Sequence, residues 1–122
     1  MDRKKQIKSD YKRQQPVAGV FQLRCLANNK IYFGSSLNLH GPFDRLRFEL
    51  GIGSFRNTRL QEDWKKYGEA QFAFEILETV PIQTDPAYDY AEDLSILEQI
   101  WLDKLDPFGD NGYNVEKRIR MA

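Results

Sequence analysis

The residue with the plainest chemical potential is a carboxylate in an apolar stripe. Over Ala91–Leu105 the sequence AEDLSILEQIWLDKL reads as a helix. At about 100° per residue, Leu94, Trp101, Leu102 and Leu105 all fall within about 60° of Glu98. Glu98 is therefore expected to point at the core or into a cleft, where an ionised carboxylate is costly unless paired, hydrogen-bonded or bound to a cation. Two readings follow. The structural one is a salt bridge to an arginine or a hydrogen bond to a tyrosine. The functional one is a ligand for a hard cation such as Mg²⁺, commonly held by one or two carboxylates with water and substrate phosphate in its remaining positions. Gln99 and Asp103, on the opposite side of the wheel, read as solvent positions. With one histidine, His40, and one cysteine, Cys25, the chain cannot build a zinc site of the usual His/Cys kind or an internal disulfide, so any metal is expected on oxygen ligands.

The elements that must position Glu98 belong to a chain of 122 residues with 41% hydrophobic and 30% charged residues, enough to bury one core. Val17–Cys25 alternates with a period of two and reads as a strand. Asn28–Asn29 suits a tight turn, and 30–34 returns as the second strand of a hairpin. Pro42 suits the first position of a helix to about Leu50, ended by Gly51 and Gly53. A second helix runs from about Asn57, with Leu60, Trp64 and Tyr67 on one stripe, and Gly68 closes it. Gln71–Val80 reads as a third strand. The order β-β-α-α-β-α predicts an α+β fold, a small three-stranded, mainly antiparallel sheet flanked by helices. Residues 1–15 are expected to form a basic arm or short helix, 16–116 the domain, and 117–122 a basic tail.

Formal net charge is zero, which argues against coating nucleic acid by bulk electrostatics, but the charge is unevenly placed. Arg3, Lys4, Lys5, Lys8, Lys12 and Arg13 crowd the start, whereas 85–110 is strongly acidic with Lys104 as its lone cation. No apolar run approaches the ~20 residues of a membrane span, and the basic start lacks a secretory apolar region, so a cytoplasmic protein without a membrane partner is expected.

Gly19-Val20-Phe21, followed after ten residues by Tyr32-Phe33-Gly34, resembles the paired triplets of the GIY-YIG endonuclease family. Gly34–Leu39 resembles the loop after the second triplet, Asn57–Gly68 the family's second helix, and Phe72–Glu78 its third strand. Glu98–Leu102 resembles the helix carrying the metal-binding glutamate, and Gly112-Tyr113-Asn114 the closing motif. Six segments in order, over about residues 17 to 115, make the resemblance specific for fold.

The resemblance implies hydrolysis of a DNA phosphodiester with Mg²⁺ or Mn²⁺ on the glutamate, an arginine on the phosphate, and tyrosines that position or deprotonate water. Tyr32 matches the second-triplet tyrosine, Glu98 the metal ligand and Asn114 the closing asparagine. Three positions depart from the pattern: Phe21 replaces the first-triplet tyrosine, Pro42 the arginine, and Phe55 the histidine before the second helix. Arg45, about 60° round and ~4.5 Å along the helix from Pro42, is expected to stand in for the missing arginine, with Arg47 a second choice. Arg47, Arg56, Arg59, Lys65 and Lys66 are expected to meet nucleic-acid phosphates, which give affinity and not sequence choice.

Plainer roles stand beside these: Phe21 and Tyr32 as core aromatics, Arg45 as a solvated charge, Asn114 as a turn residue, and Trp64, Tyr67 and Trp101 as core. Three functions remain open on the sequence. The first is a working metal-dependent endonuclease on DNA, with RNA as the alternative substrate. The second is a catalytically degenerate module of the same fold that binds nucleic acid or a protein partner. The third is an interaction module with no nucleic-acid role. The oligomeric state is not legible.

Overall fold

The computed structural model describes residues 16–115; the expected basic arm, 1–15, and the tail, 117–122, lie outside the described residues. Strands β1 (Gly19–Cys25), β2 (Ile31–Ser36) and β3 (Phe72–Thr79) form an antiparallel sheet in the order β2-β1-β3. The hairpin turn closes with Cys25 N–H donating to Lys30 O at 2.9 Å. Asn29 takes the positive φ of 63° that an asparagine side chain tolerates. Phe21 lies opposite Gly34 and Leu23 opposite Tyr32, so these four residues share one face. A Cβ on Gly34 would stand 2.6 Å from the Phe21 ring, which explains a glycine in that strand.

Helices α1 (Pro42–Ile52) and α2 (Thr58–Tyr67) cover that face, and α3 (Ala91–Leu105) lies on the other. The core joins Phe21, Leu23 and Cys25 of β1 to Leu46 and Leu50 of α1, Leu60 and Trp64 of α2, Phe72 and Tyr113. Helix α1 runs through Gly51 and stops at Gly53, whose φ of 79° is left-handed. Asn57 caps α2, its side-chain oxygen accepting from Leu60 N–H at 3.1 Å.

Both faces of β1 are buried, Val20 and Gln22 as well as Phe21 and Leu23, because β1 is the central strand with helices on both sides. One expectation needs correction. Trp101 is half-buried and not core: its indole N–H donates to Glu78 at 2.8 Å, and α3 buries no residue fully because nothing among the described residues covers its outer side.

Candidate active site

A cleft of about 720 Å³ opens between the hairpin, α1 and the loop leading to α2. Helix α1 supplies Pro42, Arg45, Leu46 and Glu49, spaced i, i+3, i+4 and i+7, so that one face of the helix forms one wall. Leu46 is buried and anchors that face, while Arg45 stays exposed. Tyr32 contributes its ring from β2, packed edge-on against Phe55 at 5.5 Å between ring centres. The loop bearing Phe55, Arg56 and Asn57 is tied down by a buried amide. Gln61 accepts from Phe55 N–H at 3.0 Å and donates to Leu50 O at 2.9 Å. Asn57 adds a strap, donating to Tyr113 O at 2.6 Å.

Burial pushes the Tyr32 hydroxyl above the ordinary phenol range; Arg56 opposes that shift and Glu49 adds to it. The phenol therefore keeps its proton at neutral pH and acts there as a hydrogen-bond donor. Arg45, Glu49 and Arg56 make no side-chain hydrogen bond or ion pair with the described residues, so two cations and one anion line the cleft uncommitted.

Glu98 lies across the sheet from Tyr32. The Ser35 hydroxyl donates to its Oε2 at 2.6 Å, and its Oε1 has no hydrogen-bond partner among the described residues. Among the described residues neither an arginine nor a tyrosine meets it, and a serine stands where the expected structural partners would. Ser35 and Val115 border both the cleft and the hollows around Glu98, which makes the outer edge of β2 the bridge between the two sides. Asn114 does not reach the cleft. Its side-chain oxygen accepts from Phe33 N–H at 2.7 Å and its amide donates to Phe33 O at 2.8 Å, a two-point clamp on the edge strand.

The remaining cations separate. Arg56 lines the cleft, but Arg47 lies over the Phe74 ring at 4.4 Å and pairs with Glu69 at 3.0 Å, its charge held on another side of α1. Arg59 donates to Gly109 O at 2.8 Å, Lys65 is exposed near Gly53, and Lys66 sits over Tyr67. Glu49, Ser35 and Asn57 escaped the sequence reading. Glu49 had a local signal, one turn beyond Arg45 on the same face; Asn57 was legible only as a helix start, and Ser35 had no signal beyond its motif neighbours.

No protein-family model matches the chain. It is 31% identical over 99 residues to the intron-associated endonuclease 1 of Enterobacteria phage T4, which covers 80% of this chain; the chain spans 36% of that relative's length. The catalytic domain of homing endonuclease I-TevI superposes with a TM-score of 0.65 at 27% identity, covering 82% of this chain and 99% of that one. A mutant of the same catalytic domain gives 0.66 at 26% identity, covering 82% of this chain and 94% of its own. The chain is a homologue of an intron endonuclease and matches its catalytic domain in fold, which supports the GIY-YIG resemblance of its motifs. Its fold is that of a GIY-YIG catalytic domain, and the three departures from the GIY-YIG pattern, Phe21, Pro42 and Phe55, all line the one cleft.

Proposed function

We propose that this chain is a divalent-cation-dependent endonuclease domain acting on DNA phosphodiesters. The observation that carries the reading is the convergence of Tyr32, Arg45 and Arg56 in one open cleft, with Glu98 reached across Ser35 at the same strand edge. A guanidinium matches a phosphate's paired oxygens, so Arg45 and Arg56 hold the scissile phosphate, and Tyr32 donates to a phosphate oxygen or to water.

The donor set suits a hard cation held lightly. Among the described residues no three His, Cys, Asp or Glu side chains gather into a full cage, but Glu98 offers one unengaged oxygen. Mg²⁺ or Mn²⁺ fits such a site, its other positions going to water and phosphate. When bound, the cation supplies polarisation of the phosphoryl oxygen and charge stabilisation at the leaving oxygen. Ser35 fixes the Glu98 carboxylate, and Asn114 fixes the backbone of β2 that carries Ser35 and Tyr32.

The test is nicking of supercoiled plasmid and branched DNA in Mg²⁺ or Mn²⁺, comparing wild type with Glu98→Ala and Arg45→Ala. We expect nicking by wild type and a loss on the order of 10²-fold or more in each variant. An inactive wild type that still binds DNA supports the second reading, a degenerate binding module, which the apolar Phe21, Pro42 and Phe55 in the cleft favour.

A further inference from the structure

We propose that the Glu49 carboxylate accepts the proton of the attacking water, an assignment that rests on the nuclease reading above. Among the described residues the cleft lining contains no histidine, and Glu49 is its only carboxylate. The other side chains there that carry exchangeable protons are hydroxyls, amides and guanidiniums, among them Tyr32, Arg45 and Arg56. Guanidiniums and amides do not take up a proton at neutral pH, and serine hydroxyls are poor bases. Tyr32, half-buried against Phe55, holds its own proton more firmly than an exposed phenol. The carboxylate is the remaining acceptor.

Its position suits the task. Glu49 projects from the α1 face that also presents Arg45, and it looks across at Tyr32 from β2 and Arg56 from the loop before α2. A phosphate held between the two arginines sets its phosphorus in the space that Glu49 borders. No described residue engages the carboxylate in an ion pair or hydrogen bond, so it can turn toward a water without breaking a native contact. In the step, the water oxygen bonds to phosphorus and its proton passes to Glu49. The bond from phosphorus to the leaving sugar oxygen breaks with its electron pair on oxygen, and that oxygen takes a proton from solvent. Glu49 then returns its proton to solvent, so no net charge accumulates.

The experiment is single-turnover nicking between pH 5 and 9 by wild type, Glu49→Gln and Glu49→Asp, with DNA affinity measured separately without divalent metal. The assignment predicts a rate loss of about 10²-fold or more for Glu49→Gln. DNA affinity should hold or rise, because an anion facing the phosphates has gone. Glu49→Asp, which keeps a carboxylate on a shorter side chain, should retain more of the rate than Glu49→Gln. A Glu49→Gln enzyme with the wild-type rate and profile overturns the assignment and leaves the nuclease reading intact. A rate loss matched by an equal loss of affinity also overturns it, in favour of a purely structural role. A wild type that leaves DNA uncut in both metals overturns the nuclease reading and this assignment together.

Discussion

Tyr32 and Tyr113 carry the same phenol into two environments, and the difference decides what each can do. Tyr32 faces an open cleft with two arginines and a glutamate nearby. Tyr113 is fully buried and donates to Asp63 at 2.7 Å, so burial and that bond push its hydroxyl far above the ordinary phenol range. The folded state therefore favours the protonated Tyr113 more than the unfolded chain does. Its contribution is fully present below the unfolded phenol's value of about 10 and is lost as pH rises beyond it. Tyr113→Phe is expected to cost about 1 kcal/mol at neutral pH and to flatten the alkaline fall in stability, read from denaturant midpoints between pH 7 and 11. An unchanged alkaline limb would contradict the bond to Asp63. The motif signals Tyr113 as a residue, but only the packing reveals why a phenol and not a phenyl ring stands there.

At the scale of elements, the site depends on short segments held by side-chain amides. Helix α1 builds one wall because Pro42, Arg45, Leu46 and Glu49 repeat at helical spacing around a buried leucine. The opposite wall is a loop with no regular structure, and it is ordered by Gln61 from α2 and by Asn57 at the α2 cap. Asn57→Ala removes both the bond to Leu60 N–H and the strap to Tyr113 O. A loss of about 1–2 kcal/mol is expected, measured by urea unfolding. Asn57→Asp, which keeps the capping oxygen but not the amide donor, should fall between the two. The boundaries of α1 and α2 were legible to within a residue or two, since Pro42, Gly53, Asn57 and Gly68 mark them chemically. The fate of Arg47 was not: its ring partner Phe74 and ion-pair partner Glu69 lie far along the chain, and helix periodicity alone leaves it a free cation.

On the scale of the whole molecule, the sheet divides the chemistry. One face meets α1, α2 and the cleft with Arg45 and Arg56; the other meets the acidic helix α3, where Glu98 reaches the edge strand through Ser35. On that second face Arg24 grips Glu75 through two bonds of 3.2 and 3.3 Å, and Gln22 adds a third at 2.7 Å, holding the carboxyl below the usual glutamate range. The contribution of this cluster is present above the unfolded glutamate's value of about 4.3 and is lost as pH falls through the lower folded value. Glu75→Gln should make the acid loss of stability shallower, with a modest cost at pH 7 because the pair is over a third exposed; acid titration of the thermal midpoint measures both. The sequence by itself determined the order of elements, the three-stranded sheet and the unusual position of Glu98, because periodicity, capping residues and glycines act over a few neighbours. Tertiary structure alone decided that Tyr32 and Glu98 stand on opposite faces, that Asn114 is spent on the edge strand, and that Glu49 and Arg56 join Arg45 in one cleft. Such convergence depends on strand register and helix docking across dozens of residues, which no local pattern encodes.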